Sequence, residues 1–319
     1  MNITKDLAAS EKFDFRDSIF DSILDIFEKN LDTIVLTNDM GALGLDKMRE
    51  IDASRVINVG ITEQNMVSVA SGLALSEKYV FVYGIISHVI FRAFEQIKLD
   101  ICVQNLPVCI IGVGAGLAYG VDGPTHHGTE DIGALSSLPN IQIFNPSDDC
   151  SAREVIKFAY SLKTPCFVRM DKEQLPRLYP DGVNLTVGYE VHGYKNDIVV
   201  ICSGMTTWTG LKAKEILNEQ YKVNITVIDL LKPKNFIAQN MINLVGNCKK
   251  IIVLDEASEF GGISSLIARA ICGAGQFSFT VLSLPDKYIT GSAKRGWAWK
   301  KYGLDCETLV ATVLENIKK

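Results

Sequence analysis

Short, continuous apolar runs alternate along this chain with amphipathic segments of helical length, and this alternation restricts the fold more than any other feature. The apolar runs lie at 33–36, 80–83, 108–113, 141–144, 166–169, 198–202, 225–230, 251–254 and 280–284. Amphipathic segments lie at 15–27, 155–160, 211–217 and 263–271. Continuous apolar strands separated by helices are typical of parallel sheets that are covered on both faces. We therefore predict an α/β protein.

The alternation is interrupted once, between residues 171 and 182. This stretch holds two prolines, one glycine and five charged residues, a composition typical of a linker. We predict a first domain over 1–175, a linker over 176–189 and a second domain over 190–319. Each domain is expected to be doubly wound, with a mostly parallel sheet covered by helices, and is large enough to bury its own core.

Composition and charge exclude several classes of protein. The net charge is 32 − 37 = −5 and there is no block of Lys and Arg, so neither nucleic acid nor an anionic membrane is an expected partner. The first residues are polar, and no apolar run reaches 18 residues, so we expect a protein that is neither secreted nor membrane-spanning. Eight cysteines without a CxxC pair indicate buried thiols in a reducing cytoplasm.

Residues 55–66, RVINVGITEQNM, form the most informative local segment. An apolar run ends in a turn at Gly60, and Glu63 falls in the first turn of a helix whose apolar residues follow at helical spacing. The helix dipole favours an acidic side chain at this position, so an ordinary helix start is one interpretation. A functional carboxylate is the other.

Three segments together favour the functional interpretation. The string NVGITEQNMVSVASGLAL at 58–75 resembles the pyrimidine-binding domain of transketolases and deoxyxylulose-phosphate synthases. Residues 91–97, FRAFEQI, resemble the helix that follows the second strand in that family, and residues 122–128, DGPTHHG, resemble its DGxTHQ loop. The resemblance covers nearly the whole chain and is greatest to the separately encoded C-terminal subunit of split transketolases. The second domain is then expected to pack and dimerise rather than to catalyse.

The resemblance implies a thiamine diphosphate enzyme and assigns its cofactor contacts. Glu63 would hydrogen-bond the aminopyrimidine, from a poorly solvated pocket in which desolvation raises its pKa. Arg92 would stack on the pyrimidine ring, although a surface ion pair is the alternative. Val89 stands where relatives carry an aromatic residue of the cofactor wall, and Asp39 resembles the aspartate of an Ala-Asp pair near the thiazolium.

The resemblance also implies a set of substrate contacts. His126 would face the reacting carbon and move protons, with His127 beside it. Asp122 would bind a substrate hydroxyl. Arg169 closes a predicted strand and would grip a substrate phosphate; a salt bridge at an interface is the alternative.

Gly114 and Ala115 depart from the family pattern. Relatives carry a histidine or arginine here that binds the substrate phosphate or C1 hydroxyl. The loss of these side chains puts a standard phosphorylated sugar in doubt and leaves room for a larger acceptor. We therefore expect transfer of a ketol or acyl unit to an unusual or nucleotide-activated sugar.

The family's diphosphate-binding motif is missing from the chain. No GDG sequence is present, and two phosphates need a cation or several backbone N–H groups. We expect a separate N-terminal subunit to bind the diphosphate with Mg²⁺ or Ca²⁺, no metal ligand on this chain, and an α2β2 assembly with the active site at the subunit interface.

Two other functions remain as alternatives. The β subunit of a 2-oxo-acid dehydrogenase shares the architecture but lacks the DGPTHH-type loop. A non-catalytic scaffolding subunit would tolerate the substitutions at 89, 114 and 115. A dinucleotide site is excluded because GVGAGLAYG at 112–120 does not fit G-x-G-x-x-G in either register.

Overall fold

A computed structural model describes residues 11–194, 196–291 and 294–317. In the first domain the strands are β1 (Phe13–Asp14), β2 (Thr33–Thr37), β3 (Val56–Asn58), β4 (Tyr79–Ile85), β5 (Val108–Val113), β6 (Gln142–Phe144), β7 (Cys166–Met170) and β8 (Gln174–Leu175). Its helices are α1 (Phe15–Lys29), α2 (Leu43–Asp52), α3 (Glu63–Leu75), α4 (Ile86–Arg92), α5 (Phe94–Gln96), α6 (Asp131–Ser136) and α7 (Asp149–Leu162). Short 3₁₀ turns lie at Ala53–Arg55 and Gly120–Asp122, and a π-helical segment at Ile97–Cys102.

The second domain follows the same alternation. Its strands are β9 (Glu190–His192), β10 (Ile198–Cys202), β11 (Thr226–Asp229), β12 (Lys250–Ser258) and β13 (Ser278–Leu284). Its helices are α8 (Met205–Tyr221), α9 (Ala238–Val245), α10 (Ile263–Ile271), α11 (Arg295–Tyr302) and α12 (Cys306–Ile317).

The first domain is built on a six-stranded sheet in the order β3-β2-β4-β5-β7-β6, and all of its pairings are parallel. Each face carries its own apolar core. Phe20, Tyr83 and Ile156 belong to the core on one face, and Val67 and Ile110 belong to the core on the other. Because both faces are covered, the strands are apolar at nearly every position, which is the pattern that the sequence displayed.

The second domain holds a five-stranded sheet in the order β13-β12-β10-β11-β9. Four strands are parallel, and β9 runs antiparallel at one edge. Two further apolar cores cover its faces. The predicted fold class is confirmed: the chain forms two α/β units, each a mostly parallel sheet between helices. None of the helices in the described ranges has both the length and the apolarity to cross a membrane.

Helix α7 begins earlier than the amphipathic pattern at 155–160 predicted. Asp148 caps it, because its side chain accepts a hydrogen bond from the backbone N–H of Ser151 at 2.7 Å. The Ser151 hydroxyl lies 3.1 Å from the N–H of Asp148 and accepts from it, which completes a capping box. The usual capping box has Glu or Gln at the third helical position, so a serine there is a weak sequence signal.

The predicted linker at 176–189 is packed in the structure rather than extended. Tyr179 and Leu185 are buried in the core of the first domain, and the backbone N–H groups of Leu178 and Tyr179 donate to Asp148 Oδ2. The boundary itself remains a prediction.

A buried polar network joins the linker to both domains. Asp229, at the end of β11, accepts hydrogen bonds from Ser147 Oγ at 2.8 Å, Thr207 Oγ1 at 2.7 Å and the Tyr179 hydroxyl at 2.7 Å. The Tyr179 oxygen also lies 2.9 Å from Nε2 of His192. Burial raises the pKa of Asp229 to about 7, although the three hydrogen bonds act in the opposite direction.

The raised pKa of Asp229 predicts a falling stability between about pH 4 and pH 7. Its ordinary pKa is 3.8, so in this window the folded protein keeps a proton that the unfolded chain has lost. Unfolding then releases a proton, and the free energy of unfolding falls with rising pH by up to about 1 kcal/mol per pH unit. We expect Asp229→Asn, which stays neutral, to lack this component when urea unfolding is measured from pH 4 to pH 8.

The matched control for that experiment is Asp197→Asn. Asp197 lies at the surface of the same domain, in an exposed pair with Lys249. Parallel pH profiles of the wild type and the Asp229→Asn variant would contradict the prediction.

Candidate functional site

The candidate site lies where the central strands of the first sheet end. Glu63 is the first residue of α3, Asn38 follows β2 directly, and Arg92 closes α4. The carboxyl ends of parallel strands open onto the ligand crevice in folds of this kind. The chain therefore brings three polar side chains to one place from three different elements.

Glu63 is buried, with 3% of its surface exposed, and its Oε1 accepts two hydrogen bonds. Asn38 Nδ2 donates at 3.1 Å, and Arg92 Nη1 donates at 2.8 Å. A buried carboxylate is costly unless such groups compensate it. Sequence analysis did not identify Asn38. The available signal for it was its position next to Asp39 at the end of a predicted strand.

The pKa of Glu63 differs in direction from our prediction. Burial raises it, as expected, but the backbone N–H of Glu63, Arg92 and Asn38 together outweigh burial and hold it below its ordinary value. The prediction considered desolvation alone. One of these groups, Arg92, lies 29 residues away along the chain.

Arg92 forms an ion pair, which was the alternative to stacking. Its guanidinium is half-exposed and pairs with Glu63, not with a residue of its own helix. Stacking on a pyrimidine stays a prediction. The predicted contact of Val89 with a cofactor is wrong for this structure, because Val89 is completely buried in the apolar core beneath α4 and offers no surface to a ligand.

One histidine lies beside the carboxylate, and a second lies beside the first. The His88 ring lies 4.9 Å from the His126 ring, centroid to centroid, and its Nδ1 is 3.9 Å from Glu63 Oε1. Burial, Arg92 and His126 lower the pKa of His88 against the opposing effect of Glu63. His126 Nδ1 lies 2.9 Å from the hydroxyl of Thr125. The predicted role of His126 at the reacting carbon stays a prediction. His88, which the sequence did not single out, lies between the His126 ring and Glu63.

His127 faces away from this cluster. It is buried, and its Nε2 lies 3.1 Å from the carbonyl oxygen of Gly120. Burial lowers its pKa, against the opposing effect of Gly120. Its side chain lines a cavity of about 320 Å³ between the histidine loop and the segment 284–289 of the second domain. The predicted substrate contact of His127 is therefore not present on the Glu63 side.

Asp122 and Asp39 are both exposed. Asp39 has a left-handed backbone, with φ of 63°, and this conformation is held by Asn58. The Asn58 side-chain oxygen accepts from the Asp39 N–H at 2.9 Å, and its Nδ2 donates to Asp39 Oδ1 at 3.2 Å. Their predicted roles remain predictions.

Arg169 is not available to a substrate in this structure. Its Nε and Nη2 donate to the two carboxylate oxygens of Asp131 at 2.8 and 3.2 Å, and Nη2 also donates to the carbonyl oxygen of Gly128 at 2.8 Å. The side chain is buried. The side chain is held in a buried ion pair within the first domain, not in the interface salt bridge that was the alternative, and its contact with a phosphate stays a prediction.

The space expected above Gly114 and Ala115 is filled. Gly114 has φ of +99°, and a Cβ placed there would lie 2.3 Å from Cδ2 of Tyr119. The ring of Tyr119 therefore packs on the glycine, and Lys172 Nζ lies 3.9 Å above the ring centre. The missing side chains do not enlarge the site, because a tyrosine from the same loop occupies their place.

Tyr119 also lines a cavity of about 130 Å³ that the sequence did not reveal. The other lining residues are Asp14, Arg16, Met40, Gly41, Tyr83, Val113 and Lys172. The rings of Tyr119 and His126 are 5.7 Å apart, so this cavity adjoins the histidine loop. Two cations, Arg16 and Lys172, stand against one anion, Asp14, and the excess positive charge suits an anionic group.

Within the described ranges, one group of three neighbouring side chains has the donor types of a metal site, namely Asp148, Asp149 and Cys150. Asp148 caps α7 and receives two N–H groups of the linker, as described above. Asp149 is paired with Arg177, Nε to Oδ2 at 3.0 Å. These carboxylates are already engaged in the fold.

Comparisons with known proteins identify the family. The model of the transketolase pyrimidine-binding domain matches residues 11–177, and the model of the transketolase C-terminal domain matches residues 189–308. A subunit of the apulose-4-phosphate transketolase of Actinobacillus succinogenes is 30% identical, over 82% of this chain and 84% of that protein. The protein of the same name from Phocaeicola vulgatus is 28% identical, over 95% of this chain and 97% of that protein.

Among solved structures, a split-gene transketolase described as an inactive β4 tetramer superposes with a TM-score of 0.84. It is 24% identical, and the match covers 96% of this chain and 98% of that one. The sheet that carries Glu63 and the sheet beyond the linker are thus the pyrimidine-binding and C-terminal domains of a protein that belongs to the transketolase family.

Proposed function

We propose that this chain is one subunit of a two-component, thiamine-diphosphate-dependent transketolase, which transfers a two-carbon ketol unit to a sugar-type acceptor. The observation that carries the proposal is the buried carboxylate of Glu63, held at a helix start by Asn38 and Arg92. A carboxyl group in such a place can share a proton with a ring nitrogen of a bound pyrimidine.

The residues around Glu63 fit an aminopyrimidine. Asn38 is buried and its Oδ1 has no hydrogen-bond partner, so the site contains an acceptor beside the carboxylate. The half-exposed guanidinium of Arg92 can turn from the carboxylate to a ring face, because little packing holds it. When bound, thiamine diphosphate supplies an acidic carbon and an electron sink. Glu63 would hold the proton at the pyrimidine nitrogen, and His126 would exchange protons with substrate oxygens.

A separate subunit is proposed to complete the site. The two relatives named as transketolase subunits are covered over 84% and 97% of their lengths, so this chain corresponds to one component of a divided enzyme. Ile61 and Val121, from the segments that carry Glu63 and His126, are more than half exposed. We propose that the partner covers them, supplies the diphosphate site with Mg²⁺ or Ca²⁺, and forms an α2β2 assembly. A cytoplasmic location is supported by the eight unpaired cysteines.

The cavity beside Tyr119 is proposed to hold the anionic end of the substrate. Arg16 and Lys172 supply positive charge there without the side chains missing at 114 and 115. The relatives are named for a sugar phosphate, which agrees in chemistry with two cations in a small cavity. A sugar phosphate is therefore favoured over a nucleotide-activated sugar, and no observation favours a 2-oxo acid.

The proposed role of Glu63 predicts a large loss of activity in Glu63→Gln. The amide keeps the shape of the side chain but cannot exchange the proton, so we expect turnover to fall by roughly 10²–10⁴-fold. Two-carbon transfer between sugar phosphates would be measured after reconstitution with the diphosphate-binding subunit. Glu154→Gln, at an exposed surface pair, is the control. Full activity of Glu63→Gln would instead support a scaffolding subunit.

The ion pair with Arg92 predicts a measurable change in the pKa of Glu63. Because Arg92 stabilises the anion, Arg92→Gln should raise this pKa. The midpoint of the Glu63 carboxyl titration, followed by ¹³C NMR, should then shift to higher pH. Arg49→Gln removes a helix-surface arginine paired with Asp46 and is the control. An unchanged titration of Glu63 would show that Arg92 does not set its charge state.

The charge of Lys172 predicts a change in substrate affinity rather than in turnover. In the reconstituted enzyme, Lys172→Met should raise KM for a sugar phosphate by about tenfold and leave kcat nearly unchanged, as expected for a contact equal in ground and transition states. Lys249→Met, at an exposed pair of the second domain, is the control. An equal KM in wild type and Lys172→Met would remove Lys172 from the substrate site.

A further inference from the structure

Arg295 of the second domain reaches into the seam between the domains. It is the first residue of α11, and its side chain is about 10% exposed. Its Nη1 and Nη2 donate to the two oxygens of Asp171 at 3.0 and 2.7 Å. Nη2 also donates to the carbonyl oxygen of Ala115 at 2.8 Å. Nε donates to Glu256 Oε1 at 2.9 Å.

This arrangement places one cation between two buried carboxylates, Asp171 and Glu256, and hydrogen-bonds both of them. Glu256, on β12, also accepts from Trp299 Nε1 at 2.7 Å. A buried charge requires such compensation, and removal of one member leaves the others unpaired. The planar guanidinium can grip a carboxylate in two places and still reach a third group, which an ammonium cannot do.

Two groups that accept hydrogen bonds from Arg295 support the small cavity beside Tyr119, namely Asp171 and the carbonyl group of Ala115. Asp171 Oδ1 accepts from the backbone N–H of Lys172 at 2.7 Å and from that of Glu173 at 3.1 Å. Asp171 thereby holds the backbone at Lys172 in place. The Lys172 Nζ atom lies over the Tyr119 ring.

The carbonyl of Ala115 forms the second support. Ala115 follows Gly114, on which the Tyr119 ring packs. It precedes Gly116, whose N–H and C=O exchange hydrogen bonds at 2.9 Å with those of Gly128 in the histidine loop. Arg295 therefore hydrogen-bonds, from another domain, the residue that precedes Lys172 and the residue that follows Gly114, and Lys172 and the ring packed on Gly114 both line the cavity.

We propose that Arg295 is a positioning residue of the substrate site, by which the C-terminal domain sets the position of Lys172 and Tyr119 for the phosphate end of a sugar phosphate. The proposal rests on the proposed function. It gives the second domain a part in substrate recognition, whereas the resemblance alone implied packing and dimerisation. Arg295 contacts neither substrate nor cofactor itself, so its effect passes through Asp171 and Ala115.

The test separates positioning from general stability by comparing kcat with KM. In the reconstituted enzyme, Arg295→Met should raise KM for ribose 5-phosphate by about tenfold with kcat within about twofold of wild type. KM for unphosphorylated ribose should not change. Arg295→Lys keeps the charge with fewer hydrogen bonds, so it should restore part of the affinity. Arg269→Met, an exposed arginine of the same domain, is the control.

If Arg295→Met fails to fold, Arg295→Lys replaces it in the test. The proposal then requires that Arg295→Lys raise KM for the phosphorylated acceptor and not for the unphosphorylated one. A parallel loss for phosphorylated and unphosphorylated acceptors, or a fall in kcat alone, would overturn the proposal. If the wild-type complex transfers no two-carbon unit, the proposed function fails. Calorimetric titration of the full chain with inorganic phosphate then tests Arg295 independently: weaker binding in Arg295→Lys supports the proposal, and equal binding overturns it.

Discussion

The candidate site of the first domain depends on how neighbouring polar groups compensate the buried carboxylate of Glu63. Glu63 has lost most of its water, and its charge is supported by Asn38 at the end of β2 and by Arg92 at the end of α4. A parallel sheet is the framework that delivers such groups to one edge, because all of its central strands end on the same side. The apolar cores on both faces fix the strand ends, and the polar side chains at those ends are fixed with them.

The contact between the two domains follows the same physical rule. Polar groups that would be costly in an apolar seam are matched there in networks around Asp229 and Arg295. Each network contains groups from both sides, so neither domain satisfies its own buried polar atoms alone. The relative position of the domains therefore depends on hydrogen-bond geometry as well as on apolar burial. The geometry of the proposed substrate cavity depends in turn on that position.

The architecture could be predicted from the sequence, because strands that are buried on both faces appear in it as continuous apolar runs. Glu63 and the histidine loop were recognisable because local strings carry them. The partners of these residues were not, since Arg92 lies 29 residues from Glu63 and Arg295 lies 180 residues from Ala115. The burial of Val89 and Arg169 was not predicted for a related reason: a position in a motif does not tell how deeply the residue is buried.

The packing of Tyr119 on Gly114 constrains how this site can change over evolutionary time. A histidine or arginine at position 114 would overlap the tyrosine ring and would also require a backbone with positive φ. A side chain at 114 is therefore accommodated only if the ring at 119 moves or is replaced. The two positions form an epistatic pair, because the effect of a substitution at 114 depends on the residue at 119.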